Sequence, residues 1–341
     1  MSAGVNPSPA HASIGPIVSL QAHILQQQSS FPEATGTLSW ILSALSISSK
    51  IIAAKVRRAR LENVLGTAGA ENVQGETQQK LDVIANEVLL ATLGGRDGVA
   101  IVASEENEEP VILREDATSD RRYCVLFDPL DGSSNLDVCG GVGTIFSILR
   151  HDRRAKDSQA SLLQPGAQQV AAGYVLYGSS TVFMLTVGHG VDMFVLDPSI
   201  GAFMLVERGL RTPKTHKSYS VNEGNRRTFP DGYQKYLDWA QEESYSSRYV
   251  GSMVADVHRI LLKGGVFMYP PTKKAPKGKL RLMYEANPIA FVCEQAGGIA
   301  SDGKRRILDI QPDSVHQRTP LAVGSPYEMG LYLDYAKKDK A

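Results

Sequence analysis

The sequence predicts an α/β (α+β) protein built as a layered sandwich of alternating helix and sheet layers, in two subdomains. Three observations predict this. Apolar residues recur at helical spacing early in the chain, and short continuous apolar runs bounded by Gly, Pro and Asp follow. The same mixture of helix and strand patterns returns in the second half. At 341 residues the chain exceeds the ~250–300 at which single cores stop growing, so two lobes are expected.

Taken in order, residues 1–34 are rich in Ser, Pro, Ala and Gln and read as a flexible N-terminal arm, with Ile24 and Leu25 able to dock. A helix is expected from Thr37, where Leu38, Ile41, Leu42, Leu45, Ile52 and Val56 fall near one face. Lys55, Arg57, Arg58 and Arg60 suit its C-terminal end. A second helix starts near Gln78, with Leu81, Ile84, Ala85, Val88 and Leu89 as its stripe. Strands are expected at 99–103, 123–127, 142–149, 170–177, 181–187, 191–196 and 202–206. Helices at 233–243 and 253–263, a strand at 265–269 and a helix near 288–295, stopped by Gly297-Gly298, complete the pattern. The polar, breaker-containing segment 211–217 suggests a boundary between 200 and 220. The division drawn is an N-terminal α/β domain at 35–205 and a C-terminal one at 206–341.

Net charge is zero, which argues against a nucleic-acid or membrane-surface partner. The three cysteines, Cys124, Cys139 and Cys293, form no C-x-x-C pair, so free thiols in a reducing compartment are expected. No uninterrupted apolar run approaches the ~20 residues of a membrane span, and no leader pattern opens the chain. A cytoplasmic location is the expectation.

The chemistry centres on the segment 128–135, Asp-Pro-Leu-Asp-Gly-Ser-Ser-Asn. An apolar strand runs into Asp128, and Pro129 ends the ladder because it has no N–H to donate. Asp131 follows, Gly132 permits a tight turn, and Ser133 and Ser134 suit a helix start. Two carboxylates then share a strand end with the Leu130 carbonyl, and the N–H groups after Gly132 form an anion cradle. Carboxylates beside such a cradle suit Mg²⁺ bridging to phosphate. Glu105 and Glu106 also follow an apolar strand. If the strands are neighbours, four carboxylates converge, and without cations some must take up protons. Glu76 and Asp82 flank the second helix start and complete the cluster. Taken alone, the 128–135 segment also reads as a turn with a helix cap, and Glu105-Glu106 as a solvated loop continuing into Glu108 and Glu109.

The segment Phe-Asp-Pro-Leu-Asp-Gly-Ser-Ser-Asn (127–135), followed by Val-Gly-Thr-Ile-Phe (142–146), resembles the signature of the fructose-1,6-bisphosphatases. That family belongs to the metal-dependent, lithium-sensitive phosphatase superfamily, with the sugar phosphatase fold. Further matches fall in the family's order at 81–83, 104–106, 249–258 and 278–285, so the resemblance covers roughly residues 35–328. It implies hydrolysis of the 1-phosphate of fructose 1,6-bisphosphate with two or three Mg²⁺ per subunit, Mn²⁺ as a substitute, and a homotetramer. Glu105, Asp128, Asp131, Glu285 and the Leu130 carbonyl would hold metal. Glu106 and Asp82 would orient or deprotonate water, with Glu76 where the family often has aspartate. Asp131, Gly132, Ser133 and Ser134 would hold the departing phosphate. Asn222, Tyr249, Tyr269, Lys279 and Arg248, the last reaching from a neighbouring subunit, would hold the sugar phosphate. Asn225 stands where the family typically has tyrosine. Lys273, Lys274 and Lys277 read mainly as solvated surface.

The resemblance also implies an AMP site at Thr35, Gly36, Leu38, Ser39, Arg122, Tyr123 and Arg150. Thr37 departs from the glutamate of animal enzymes and Arg122 from their lysine. The alternative reading of Thr35-Gly36-Thr37 is a plain helix cap. Residues 151–166 contain no cysteine, against thiol regulation of the light-controlled type. Two other functions compete: a phosphatase acting on sedoheptulose 1,7-bisphosphate, alone or as a second substrate, and a catalytically silent sensor or scaffold. Retention of every proposed metal carboxylate argues against the silent reading, because a scaffold has no need of mutually repelling groups.

Overall fold

The computed structural model describes residues 17–30, 36–71, 77–113, 122–152 and 154–337. The first helix, α1 (Leu20–Ser30), lies inside the segment expected to be a flexible arm. Leu20 and Ile24 are one helical turn apart and both are buried, whereas Leu25 faces solvent. The Ser19 hydroxyl accepts from the Ala22 N–H at 3.2 Å and starts the helix. This part of the arm is therefore ordered. The Gln-rich composition concealed a short apolar stripe that needs a tertiary partner to be worth folding.

Helices α2 (Thr37–Arg58) and α3 (Lys80–Gly94) pack against each other, bracketing the short hairpin β1 (Thr67–Glu71) and β2 (Thr77–Gln79). Both bury the expected stripes, Ile41, Leu42, Leu45 and Ile52 in one and Leu81, Ala85 and Leu89 in the other. Among the described residues, α2 is the one helix long and apolar enough to cross a bilayer, and half of its most apolar stretch is buried inside this fold.

The central sheet comprises β3 (Val99–Ser104), β4 (Val111–Ile112), β5 (Tyr123–Asp131), β6 (Val142–Arg150), β7 (Gln169–Tyr177), β8 (Thr181–Thr186), β9 (Asp192–Asp197) and β10 (Ala202–Glu207). Its order is β10-β9-β8-β7-β6-β5-β3-β4. Every pairing is antiparallel except that of β3 with β5. Both of those strands are buried almost throughout, as a continuous apolar run predicts for a strand covered on both faces. A short helix, α4 (Ser158–Leu162), lies between β6 and β7.

The second sheet has the order β12-β11-β13-β17-β15, with β11 (Ser218–Ser220), β12 (Ser246–Ser247), β13 (Val266–Tyr269), β15 (Ile299–Ser301) and β17 (Leu321–Gly324). A separate small pair joins β14 (Leu280–Arg281) to β16 (Arg318–Thr319). Helices α5 (Asp231–Glu242), α6 (Met253–Lys263), α7 (Asn287–Gln295) and α8 (Pro326–Lys337) cover these strands. Sequence pattern had left α8 unassigned. One apolar core is sandwiched between the two sheets, with α6 and α7 packed on β6 and β7. The other side of the first sheet is covered by α1, α2 and α3.

Close packing across the first sheet makes a stability prediction. A Cβ on Gly173 would sit 2.2 Å from the Met184 carbonyl and 2.7 Å from the Phe146 ring. Gly173→Ala is expected to lower unfolding stability by about 2 kcal/mol, within the usual cost of overpacking. Urea unfolding followed by circular dichroism checks it, and an unchanged midpoint would contradict it.

Candidate active site

The parallel pairing of β3 and β5 places their C-terminal ends side by side, with Ser104 opposite Phe127 and the Glu105 N–H donating to the Phe127 carbonyl at 3.1 Å. Glu105 and Asp128 therefore leave adjacent strands at the same edge. Beyond Asp128 the register against β6 slips by a bulge before Asp131 pairs with Gly143. The Asp128 carboxylate accepts the Leu130 N–H at 2.9 Å, and the Thr144 hydroxyl donates to the Pro129 carbonyl at 2.8 Å. These bonds hold the proline kink. Gly132 has φ 74°, and a Cβ there would meet Ser252 at 2.8 Å, so both conformation and space demand glycine. A 3₁₀ turn, Ser133–Val138, follows.

One oxygen each from Asp128, Asp131 and Glu285 lie within 4.8 Å of one another. Glu285 arrives on a single π-helical turn, Leu282–Ala286, directly before α7. Burial, then repulsion from Glu105 and Asp131, pushes the Asp128 carboxyl well above its ordinary range. Burial, then Glu105, does the same to Glu285. Asp131 is pushed by burial to about 6, despite accepting from the Val254 N–H at 2.9 Å and the Ser252 hydroxyl at 3.3 Å. Glu105 stands outside the three-carboxylate group and pairs with the buried Arg281 guanidinium at 3.0 Å.

Asp82 faces the same cavity from the start of α3. One of its oxygens accepts from the Gln79 N–H at 2.7 Å and the Ser133 hydroxyl at 3.2 Å, while the other is buried with no hydrogen-bond partner. Burial chiefly, with repulsion from Glu106, lifts its pKa to about 7. The Gln78 amide donates to Glu106 at 2.7 Å. The hard-oxygen donor set, the repulsion among its members and the orphaned Asp82 oxygen together fit divalent cations of the Mg²⁺ type.

The cavity, of about 410 Å³, gathers Glu106, Leu130, Gly132, Ser133, Ser134, Tyr249, Tyr269 and Lys279 with these acids. Asn222 and Arg248 lie outside its lining. Asn222 hydrogen-bonds the Tyr249 side chain, and the exposed Arg248 guanidinium donates to the Ser247 carbonyl at 2.9 Å. Glu76 lies outside the described residues. Arg281, Ser252 and Asp256 were not singled out from sequence as parts of this site. The approach of α6 to Asp131 that brings in two of them is visible only once the second lobe is folded.

A second cavity, of about 340 Å³, brings Gly36, Leu38, Ser39, Tyr123 and Arg150 together with His23 and Asp192. Arg150 lies over the Tyr123 ring, 5.9 Å from its centroid, and His23 meets Asp192 at 2.7 Å. Arg122 does not line it, and Thr35 lies outside the described residues.

Helix and sheet layers with an acidic cluster at a strand end, beside a positive-φ glycine turn, have the form of a metal-dependent phosphatase site. Residues 18–208 match the model for the fructose-1,6-bisphosphatase N-terminal domain, and residues 212–337 match that for the C-terminal domain. The class 1 fructose-1,6-bisphosphatase of Chlorobium chlorochromatii is 52% identical over 317 residues, covering 91% of this chain and 95% of the relative. That of Chloroherpeton thalassium is 50% identical, covering 94% of each. The holo crystal structure of Leishmania major fructose-1,6-bisphosphatase superposes with a TM-score of 0.88 at 39% identity, covering 94% of this chain and 99% of that one. The chain belongs to the class 1 fructose-1,6-bisphosphatase family.

The raised carboxyls carry a pH prediction for metal-free protein. Between the ordinary value of 3.8 and the folded values of about 6 for Asp131 and about 7 for Asp82, the native state holds protons that the unfolded chain has released. Stability contributed by these groups therefore falls as pH rises through that window. Urea midpoints of metal-free protein from pH 5 to 8 are expected to decline, with Mg²⁺ restoring them at pH 8 and Asp82→Asn flattening the slope. A slope unchanged in Asp82→Asn would contradict the assignment.

Proposed function

We propose that this chain hydrolyses the 1-phosphate of D-fructose 1,6-bisphosphate to fructose 6-phosphate and inorganic phosphate, with Mg²⁺ as its cofactor. The observation that carries the reading is the meeting of Asp128, Asp131 and Glu285 in one cavity with the Gly132–Ser134 turn and Lys279. Asp128, Asp131, Glu285, Glu105 and the Leu130 carbonyl would hold two or three cations, Mn²⁺ serving as a substitute. When bound, these supply positive charge to the phosphate oxygens and to the departing sugar oxygen.

The chain's own groups do the rest. Gly132, Ser133 and Ser134 present N–H and hydroxyl donors to the 1-phosphate, fixing its orientation for in-line attack. Asp82, facing the cavity with one oxygen that has no hydrogen-bond partner, is placed to take a proton from water. Glu106, anchored by Gln78, orients that water. Asp131 contributes to both the cation group and the phosphate turn. At the other end Lys279, Tyr249 and Tyr269, with Asn222 behind Tyr249, donate to the sugar phosphate, and Arg248 joins from a neighbouring subunit of a homotetramer. Catalysis of such a hydrolysis requires on the order of 20 kcal/mol of transition-state stabilisation, most of it electrostatic. The division into lobes at 205–206 puts the acidic end mainly in one and the sugar-phosphate end in the other.

We further assign the second cavity to AMP. Arg150 and Tyr123 offer a cation and a ring face, and Gly36, Leu38 and Ser39 offer backbone and hydroxyl contacts. A cytoplasmic setting suits both ligands.

Phosphate release with and without Mg²⁺, on fructose 1,6- and sedoheptulose 1,7-bisphosphates side by side, tests the reading. Activity is expected only with the cation and with preference for the six-carbon substrate. Asp131→Asn is expected to leave the circular dichroism spectrum intact and turnover below about a tenth of the original, as loss of an electrostatic group usually costs. A variant above that level would remove Asp131 from the mechanism.

A further inference from the structure

We propose that Asn135, with Asp256 behind it, is a positioning residue that fixes the separation of the two phosphate-holding ends of the cavity and so selects substrates by the distance between their phosphates. The inference rests on the phosphatase reading above.

Asn135 follows the phosphate turn within the Ser133–Val138 3₁₀ segment. Its side-chain amide donates to the Gly132 carbonyl at 3.1 Å and to the Gly251 carbonyl at 3.1 Å. Gly132 belongs to the turn that faces the 1-phosphate. Gly251 belongs to the loop that carries Arg248 and Tyr249 at the sugar-phosphate end. One amide group thus grips both ends of the cavity from behind, across the boundary between the lobes.

Asp256 grips the same loop from its other side. Its carboxylate accepts the Val250 N–H at 2.9 Å and the Gly251 N–H at 3.0 Å. It is buried in the first turn of α6, and that helix is itself fastened to Asp131 through the Val254 N–H at 2.9 Å. Gly251 is therefore held by its carbonyl through Asn135 and by its N–H through Asp256. Anchors on both peptide groups that flank one residue leave the loop little freedom to slide along the substrate axis. An amide suits the Asn135 position because it offers two donors to two carbonyls without adding charge beside the acidic cluster. A seven-carbon bisphosphate carries its distal phosphate one bond farther away, and a fixed separation penalises it.

Asn135→Ala and Asp256→Asn in the full-length protein with Mg²⁺ test this, with circular dichroism to confirm folding. For Asn135→Ala, KM for fructose 1,6-bisphosphate is expected to rise about tenfold, the scale of two lost neutral hydrogen bonds, with kcat changing less. The preference for the six-carbon over the seven-carbon bisphosphate should fall by at least about threefold. Inhibition constants for inorganic phosphate and for fructose 6-phosphate, each of which engages one end, should move by less than about twofold. Calorimetric binding of fructose 6-phosphate without metal should be similarly unchanged. Asp256→Asn should show the same pattern more weakly and carries the test if Asn135→Ala does not fold. An unchanged substrate preference in the folded variants overturns the proposal. So does weakening of the single-phosphate ligands in step with KM, because that is the signature of general loosening. Wild-type protein inactive on both bisphosphates overturns the phosphatase reading itself and is seen before any variant is made.

Discussion

Asp128, Asp131 and Glu285 bring ligand oxygens within 4.8 Å of one another at a largely buried strand end, where ionised carboxyls repel and burial weakens screening by water. Much of the surrounding structure manages that repulsion. Asp131 is tied to the start of α6, whose N–H groups and dipole favour negative charge. Glu105 is matched by the buried Arg281 guanidinium. The Asp128 carboxylate accepts the Leu130 N–H, which holds the kink at Pro129 and keeps the following turn on the same side. What remains uncompensated is a compact set of hard oxygens, and a divalent cation is the group that relieves it.

The same constraint explains why two lobes are needed. One strand end can offer two carboxylates and a turn, but not a second phosphate pocket at a fixed distance. The start of α6 and the π-helical turn before α7 come from the second lobe and close over the end of β5. Tyr249 lies just ahead of α6, while Tyr269 ends β13 and Lys279 precedes β14. The lobes share the apolar core between their sheets, and the cavity lies where they meet.

The parts of this arrangement that lie along one stretch of chain were legible in sequence. The apolar run into Asp128, the proline stop, Asp131 and the glycine turn declare a strand end with two acids, and the structure places them there. The parallel neighbour carrying Glu105 was conditional on strand order, which β3 and β5 satisfy. Parts that depend on long-range contact were not legible. Arg281 carries no signal of its own in the sequence, and its burial against Glu105 follows from the approach of β14, far away in sequence. Asn135 appears in sequence only as the end of the 128–135 turn segment, and Asp256 only within the expected helix at 253–263. Helix α1 was lost in a glutamine-rich stretch because two apolar residues stabilise a helix only when a sheet is present to receive them.

Arg281 and the three-carboxylate group embody two different solutions to one electrostatic problem. The covalently attached Arg281 guanidinium offsets part of the charge of Glu105, which still raises the carboxyls of Asp128 and Glu285. A bound cation neutralises its ligands just as well but can be shared with a phosphate, because its charge exceeds that of any single carboxylate. A site filled entirely with arginine partners would be more stable without metal and would have no charge left to offer a substrate. Leaving Asp128 and Asp131 without such a partner, and Glu285 to share the Arg281 charge with Glu105, lowers the stability of the metal-free fold, and that same deficit makes cation binding favourable where phosphate chemistry requires it.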